Sequence, residues 1–532
     1  MKKRIISCLL AFLLLAGGIN AKIRVLTIGD STMANYDELK NSGDNELRGW
    51  GQMLSLFFNE EVTLQNAAKN GRSSKSFYYE FWEKLRETLH PGDYVVIQFG
   101  HNDEKNNGDD SPEKDGRGTA PWGQFHEYLT RYVNEIRSKG ATPVFATPIV
   151  RRMFDNDGKT LSARGRHNLQ EMRESSDSVQ YDYVLAMKDV ARKMNVLLVD
   201  MTQLTAEIVQ ELGAAKAKEI IYCNKDNTHL KALGALRYAE LFAQDLKRQG
   251  ILTTYLSFSN QVISSPLEYD FGNVFVGEPA LKVLSLAGQK ISKPQEVHLK
   301  VQPPFALSLF PDKNFSEQLD IHSNGGYFYQ PVYIRFVPEG GLRYDVRAVL
   351  NMGADRHAVS LIGTGIAADR TKPFSLEYSD TAGLKSSAAA QINSRLEGLR
   401  FVADNGRNLL TTLHGPWASD EIDVNSNRYI EWSVTAEQDV YLSSLSYTLS
   451  LQGGDAMQFS ALGAMESTFA TPDTYSLMEN LRETPQNFTQ KIILKLSKGQ
   501  TYYFRIYPWS KNGGEHRFVN IERVVFNGFQ TQ

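Results

Sequence analysis

Cysteine is almost absent from this sequence, with only Cys8 and Cys223 among 532 residues. Cys8 lies inside an N-terminal apolar run, so removal of that run would leave Cys223 as a single thiol. A single thiol forms no internal disulfide, which excludes the small disulfide-stapled class of exported domains. Stability is therefore expected to come from packed hydrophobic cores, and a chain of this length is expected to form two or three domains.

Tracts of basic charge and membrane-length apolar runs are also missing. The formal net charge is -3 and no cluster of Lys or Arg stands out, so nucleic acid is not an expected partner. The N-terminal run Ile5–Leu15 follows Lys2, Lys3 and Arg4, and it is too short to span a bilayer comfortably. Residues 1–21 are predicted to be a signal peptide, the alternative being an uncleaved anchor. We expect an exported protein, periplasmic or secreted, with no membrane span after cleavage.

Short apolar runs alternate with amphipathic stretches between residues 22 and 252. Predicted buried strands cover Ile23–Gly29, Val62–Ala67, Tyr94–Gly100, Pro143–Val150 and Val196–Asp200. Predicted helices cover Ser73–Leu89, Trp122–Lys139, Gln180–Met194 and Lys231–Gln249. This alternation predicts an α/β domain, a parallel sheet with helices on both sides. In such sheets ligands bind beyond the carboxyl ends of the strands.

Helical periodicity disappears after about residue 250, and alternating strands with turn residues replace it. The segments LEYDFGNVFVG (267–277) and LIGTGIA (361–367) bracket one predicted β-sandwich, residues 260–368. Ala368–Thr371 is predicted to be a linker to a second all-β sandwich, residues 372–532.

Aromatic residues of the last region raise the question of sugar binding, because sugars stack on flat rings. Most of these rings lie in alternating strand patterns and are expected in the core. Trp417 and Trp509 stand in turn-like contexts and are candidate sugar platforms.

Four short polar blocks follow predicted strand ends or precede the last predicted helix of the α/β domain. GDST (29–32) places Ser31 on a strand-to-helix turn, where its hydroxyl points outward. NGRS (70–73) contains Gly71, whose N–H can approach a substrate oxygen because no side chain blocks it. GHND (100–103) supplies the Asn102 amide, a donor suited to an oxyanion. In DNTH (226–229), Asp226 can bond one ring nitrogen of His229 and leave the other to accept the serine proton.

Each block alone has an ordinary structural explanation. Ser and Asp cap helices, glycine forms turns, and loop Asn and Asp residues bond their own backbone. Jointly the blocks are specific, because they converge on one edge of the sheet and contain the groups that acyl transfer requires. A metal site built from His101, Asp103 and His229 lacks any H-x-x-x-H or Cys spacing, so neither a metal nor a cofactor is expected.

In this order, GDST, NGRS, GHND and DNTH resemble the motifs of the SGNH (GDSL) hydrolase superfamily, most closely its rhamnogalacturonan acetylesterase branch. The resemblance covers about residues 22–250 and implies a flavodoxin-like three-layer α/β/α sandwich. The polar insertion Glu104–Thr119 departs from the smaller members of the family. The middle region resembles immunoglobulin-like (Ig-like) modules, and the last region resembles accessory β-sandwiches of bacterial pectin-degrading enzymes.

The resemblance also implies roles for individual residues. Ser31 would be the nucleophile, His229 the general base and Asp226 the group that orients His229. The oxyanion hole would be formed by the N–H groups of Ser31 and Gly71 and by the side chain of Asn102. The implied protein is a serine carbohydrate esterase that removes O-acetyl groups from pectic rhamnogalacturonan through an acyl-enzyme.

Cations near these blocks suit an acidic polysaccharide substrate. Lys69, Arg72 and Lys75 flank the Gly71 loop, and Arg151 and Arg152 follow the fourth strand. Because pectic uronates carry carboxylates, we expect one of these cations, foremost Arg72, to bind substrate. The alternative for any one of them is a solvated charge or a structural ion pair.

Three other functions stay open at this point. They are an esterase for another acetylated glycan such as xylan, a lipase-like hydrolase, and a glycan-binding surface protein with an inert esterase domain. The sequence does not indicate an oligomeric state.

Overall fold

The computed structural model describes most of the chain from residue 22 to residue 531. The described ranges are 22–37, 39–41, 46–112, 116–162, 164–165, 167–168, 182–258, 262–265, 268–291, 293–352, 355–379, 383–401, 412–417, 425–453, 457–470, 472–510 and 516–531. The predicted signal peptide, residues 1–21, lies outside the described residues.

A parallel sheet forms the centre of the first region. Its strands are β1 (Ile23–Gly29), β2 (Val62–Asn66), β3 (Tyr94–Gln98), β4 (Thr142–Ala146) and β5 (Leu197–Val199). They pair in the order β2-β1-β3-β4-β5, with every pairing parallel. This order is that of flavodoxin-like folds, so the predicted fold class is confirmed.

Helices cover both faces of this sheet. The α-helices of the described residues are α1 (Trp50–Met53), α2 (Ser74–Phe77), α3 (Glu83–Leu85), α4 (His126–Ser138), α5 (Tyr183–Met194), α6 (Met201–Ile220) and α7 (Ala232–Arg248). Val25 of β1 packs in one core with α1, α6 and α7, and Leu26 packs in a second core with α2, α4 and α5. Because strand side chains alternate, the one strand contributes to both layers.

The predicted helix 73–89 is a continuous helical stretch, in which α2 and α3 are joined by a π-helical turn (Tyr78–Trp82) and followed by a 3₁₀ turn (Arg86–Thr88). The helix α6 was not predicted; it is kinked at Gly213, whose φ of 71° interrupts the helical backbone. Shorter turns lie at Leu54–Phe57, Asn106–Gly108 and Pro121–Phe125.

The middle region is a sandwich of two sheets around one core. Its described strands are β6 (Val262–Ser265), β7 (Glu268–Phe275), β8 (Ala280–Ile291), β9 (Gln295–Lys300), β10 (Phe305–Ser308), β11 (Gln318–Ser323), β12 (Gly326–Phe336), β13 (Arg343–Met352) and β14 (Asp355–Ile366). One sheet has the order β10-β12-β8-β6 and the other β11-β9-β13-β14-β7. The boundaries 260–368 and the Ig-like assignment stay predictions.

The last region is a second, larger sandwich. Its described strands are β15 (Ala368–Ser379), β16 (Gly383–Lys385), β17 (Ala390–Glu397), β18 (Arg400–Phe401), β19 (Thr412–His414), β20 (Tyr429–Ala436), β21 (Val440–Gln452), β22 (Met457–Ala464), β23 (Asp473–Asn480), β24 (Gln486–Leu496), β25 (Thr501–Ser510) and β26 (Phe518–Thr531). In one sheet β26 lies between β15 and β21, and the other sheet has the order β17-β20-β25-β22-β23.

Two predictions for this region were wrong. Ala368–Thr371 is not a linker, because these residues begin β15 and Ala368 and Asp369 pair with β26. Trp417 and Trp509 are buried, and the Trp417 indole donates to the carbonyl of Arg517 (2.8 Å). Neither ring is available as a sugar platform.

Candidate active site

Ser31 lies in the turn that directly follows β1. The preceding Gly29 has no room for a side chain, because a Cβ there would lie 2.6 Å from the carbonyl oxygen of Gln98. Thr32 holds the turn: its N–H and hydroxyl both donate to Asp30 Oδ1, and its hydroxyl also accepts from the Gln98 amide (2.7 Å). The hydroxyl-bearing residue is therefore presented on a rigid turn at the carboxyl edge of the sheet.

Ser31, His229 and Asp226 form a hydrogen-bonded chain. Ser31 Oγ lies 2.8 Å from His229 Nε2, and His229 Nδ1 lies 2.8 Å from Asp226 Oδ2. A ring whose Nδ1–H donates to the carboxylate has Nε2 free to accept the serine proton. Ser31 and His229 are 198 residues apart in the sequence, and the fold brings them into contact.

The Asp226 carboxylate is held by its own loop. Its Oδ1 accepts from the backbone N–H groups of Thr228 (2.7 Å) and His229 (2.8 Å). Burial opposes ionisation of Asp226, but the ring of His229 and these two N–H groups outweigh it and hold the pKa of the carboxyl below its usual range. The carboxylate is therefore ionised at neutral pH and fixes the orientation of the imidazole.

Gly71 and Asn102 follow the two strands that flank β1, one on each side. Gly71 has a φ of 73°, a conformation that glycine adopts without strain. Asn102 is largely buried, and its side-chain amide makes no hydrogen bond to any residue that the structure describes. Both predicted donors thus lie beyond the carboxyl ends of strands adjacent to that of Ser31.

A buried histidine, His101, lies next to the turn that carries Ser31. Its Nδ1 is 3.4 Å from Asp30 Oδ2, and its Nε2 is 3.1 Å from the carbonyl oxygen of Ile149. Burial would raise the pKa of the Asp30 carboxyl, but His101 and the hydrogen bonds from Thr32 hold it below the usual value. Asp30 and His101 therefore help to hold the turn that carries Ser31 in place.

An ion pair that sequence reasoning missed supports the histidine loop. The Arg151 guanidinium bonds both Glu104 and the hydroxyl of Thr228, the residue before His229. His167 Nε2 lies 3.4 Å from the other Glu104 oxygen. The N–H of Arg152 also donates to the carbonyl of Asn227 (2.8 Å). The loops after β3 and β4 thus clamp the loop that carries His229.

The predicted rim cations have different surroundings. Arg72 pairs with Glu80 (2.6 Å) and, with Lys69, lies against the Phe81 ring. Lys75 is buried and bonds the carbonyl of Ser111. The charge of Arg72 is paired with the Glu80 carboxylate. The role of Arg72 in binding an acidic sugar therefore stays a prediction.

The described residues contain neither a metal-binding cluster nor a membrane-spanning helix. Within those residues, no group of three or more His, Cys, Asp or Glu side chains is placed to hold a metal ion. Over the same ranges, no helix combines the length and the apolar character needed to cross a membrane.

Comparisons with known proteins place this site in a family context. The model of the GDSL-like Lipase/Acylhydrolase family matches residues 27–236. The chain is 31% identical over 242 residues to the rhamnogalacturonan acetylesterase RhgT of Bacillus subtilis, covering 43% of this chain and 91% of that protein. It is 32% identical over 230 residues to the probable rhamnogalacturonan acetylesterase YesY of the same organism, covering 42% and 93%. Among solved structures, the Bacillus subtilis protein YxiM is 26% identical with a TM-score of 0.35, covering 43% and 57%.

Proposed function

This chain belongs to the GDSL-like lipase/acylhydrolase family and is a carboxylic ester hydrolase, and we propose that it removes O-acetyl groups from pectic rhamnogalacturonan. The observation that carries the proposal is the 2.8 Å contact between Ser31 Oγ and His229 Nε2, with Asp226 on the opposite ring nitrogen. The substrate is supported by two relatives at about one-third identity, named as a rhamnogalacturonan acetylesterase and a probable one.

The proposed reaction has two steps. In the first, Ser31 Oγ bonds to the acetyl carbonyl carbon while His229 Nε2 takes the serine proton. The intermediate then breaks the bond to the sugar oxygen, and that oxygen leaves with the proton from His229. In the second step a water molecule, deprotonated by His229, attacks the acetyl carbon. The bond to Ser31 Oγ then breaks, Ser31 Oγ regains the proton from His229, and acetate is released.

The negative charge that develops on the carbonyl oxygen needs fixed donors. We assign this role to the N–H groups of Ser31 and Gly71 and the side-chain amide of Asn102, which follow three adjacent strands. Such donors stabilise the transition state without reorganisation, because the surrounding turns hold them in place beforehand.

The experiment is acetate release from three substrates: acetylated rhamnogalacturonan, acetylated xylan and p-nitrophenyl acetate. We expect the wild type to act on all three, with the highest kcat/KM on rhamnogalacturonan, and Ser31→Ala to act on none. Faster release from xylan would contradict the pectic assignment. Binding to pectin without any acetate release would contradict the enzymatic role of this chain on polysaccharide.

Export to the periplasm or to the medium is part of this proposal. It is supported by the charge and apolar pattern of residues 1–21 and by the polymeric nature of the proposed substrate. Fractionation of the producing cell, with N-terminal sequencing of the mature chain, tests it.

A further inference from the structure

The described residues of the polar insertion Glu104–Thr119, 104–112 and 116–119, are hydrogen-bonded to the loops that carry the site. The N–H of Ser111 donates to the carbonyl of Gly118 (2.9 Å), and the N–H of Gly118 donates to Ser111 Oγ (3.1 Å). At its end, the Thr119 hydroxyl donates to Asp103 Oδ1 (2.7 Å), which also accepts from the backbone and hydroxyl of Ser74. The insertion is thereby tied both to the Asn102 block and to the chain that follows Gly71.

The end of the insertion presents Arg117 beside Gly71. Gly118 has no space for a side chain, since a Cβ there would lie 2.6 Å from Asn106 Cβ and 2.7 Å from two carbonyl oxygens. This close packing fixes the backbone next to Arg117. A Cβ built on Gly71 would lie 3.6 Å from Arg117 Nη1, so the guanidinium stands at the side of the proposed oxyanion donor.

The charge of Arg117 differs from that of its neighbours. Arg117 is exposed and has no hydrogen bond or ion pair with any described residue. Arg72, by contrast, is paired with Glu80, and Lys75 is buried. Lys69 lies against the Phe81 ring without a described carboxylate partner. Among the described residues, Arg117 and Lys69 thus carry positive charge near Gly71 without a carboxylate partner, and the Arg117 guanidinium lies beside Gly71 itself.

We propose that Arg117 binds the carboxylate of a uronic acid residue of the acetylated polysaccharide. The inference rests on the proposed function, because it assumes an ester on an acidic glycan. A guanidinium presents parallel N–H donors that match the two oxygens of a carboxylate, which a lysine ammonium does not. Because the Arg117 guanidinium lies beside Gly71, it would hold the uronic acid residue in place while the acetyl group enters the site.

The test compares Arg117→Ala, Arg117→Lys and wild type on an acetylated rhamnogalacturonan oligosaccharide and on its carboxyl-reduced form. We expect Arg117→Ala to raise KM for the acidic substrate about tenfold, as for loss of one charge-assisted hydrogen-bonded pair. Activity on the reduced form and on p-nitrophenyl acetate should stay within about twofold of wild type. Arg117→Lys should recover part of the loss, because it keeps the charge without the planar fork. Lys300→Ala, which removes an exposed positive charge on β9, is the matched control.

Two results would overturn the inference while leaving the proposed function intact. One is an unchanged KM of Arg117→Ala on the acidic oligosaccharide. The other is an equal loss on the acidic, reduced and p-nitrophenyl substrates, which would mean that Arg117 supports the fold or the reaction. A wild type that prefers the carboxyl-reduced oligosaccharide would overturn both.

Discussion

At the scale of single residues, a substitution at Asn102 is expected to lower the catalytic rate without lowering the stability of the fold. It is nearly buried yet leaves its side-chain amide without a partner among the described residues. A buried amide normally finds a hydrogen bond, since leaving it unpaired costs free energy. The Asn102 amide is not fully enclosed, so on the loop after β3 it is open to bond a substrate oxygen.

Asn102→Ala is expected to lower kcat on p-nitrophenyl acetate by a factor on the order of 100 or more, the usual effect of removing one oxyanion donor. The melting temperature should change little, because the amide makes no hydrogen bond to a described residue that the substitution would remove. Steady-state kinetics and a thermal scan on the same preparation check both expectations. Turnover at the wild-type rate would remove Asn102 from the mechanism.

At the scale of loops and elements, the clamp between Arg151, Glu104 and Thr228 holds the loop of His229, the proposed general base. Arg151→Ala removes the contact with Thr228, so we expect His229 to sample orientations away from Ser31. The expected result is about a tenfold lower kcat on p-nitrophenyl acetate, an unchanged KM and partial recovery in Arg151→Lys. Arg192→Ala, which breaks a surface pair with Asp189, is the control. A raised KM with normal kcat would instead assign Arg151 to substrate binding.

The same clamp predicts how stability depends on pH. Burial opposes ionisation of Glu104, but His167 and Arg151 outweigh it and lower the pKa of Glu104 to about 2, from an ordinary value of 4.5. Because the folded-state pKa is depressed, the carboxylate stabilises the fold above about pH 4.5, and this contribution is lost as the pH falls towards 2.

Glu104→Gln should therefore be less stable than wild type near neutral pH, by roughly 2 to 3 kcal/mol. The difference in free energy of unfolding should shrink steadily below about pH 4.5. Chemical denaturation at a series of pH values measures both curves. Curves that stay parallel down to about pH 3 would show that the Glu104 carboxylate does not contribute through its charge.

Elements differ in how far the sequence predicts them. The strands β1 to β5 are short β-branched runs, and burial on both faces leaves a clear pattern. The helix α6 was not predicted, and Gly213 interrupts the helical pattern along its length. The clamp was not predicted because Arg151 is 47 residues from Glu104 and 77 residues from Thr228 in the sequence. The sequence did show its parts, an acidic residue directly after GHND and a pair of arginines after the fourth strand.

The site itself was more predictable than its surroundings. Ser31, Asp226 and His229 were named from short motifs, because their chemistry demands particular residue types at strand ends. The surroundings of Arg72 and Trp509 could not be predicted from the sequence. Whether a charge is paired or an aromatic ring faces solvent depends on residues that are distant in the sequence. The Glu80 carboxylate pairs with Arg72, and Trp509 is fully buried in the structure.

At the scale of the whole molecule, the catalytic region and the middle sandwich share a packed interface. Tyr327 of β12 donates its hydroxyl to Glu240 of α7 (2.9 Å), and the Arg237 guanidinium lies 4.5 Å from the Tyr327 ring centroid. Burial and the nearby Glu240 raise the pKa of Tyr327 to about 12, so the hydroxyl stays protonated and can donate. Since α7 follows directly on the His229 loop, the sandwich supports the element behind the site.

Tyr327→Ala removes the hydrogen bond, the cation–π contact and the ring packing together. We expect it to lower the stability of the catalytic region by about 2 kcal/mol. Tyr327→Phe, which keeps the ring, should cost about 1 kcal/mol or less. Neither variant should change kcat on p-nitrophenyl acetate at a temperature well below unfolding, because Tyr327 contacts no catalytic group. Differential scanning calorimetry, with loss of esterase activity on heating as the marker of the catalytic region, separates its transition from those of the sandwiches. An unchanged transition in Tyr327→Ala would mean that the sandwich gives the catalytic region no support through this contact.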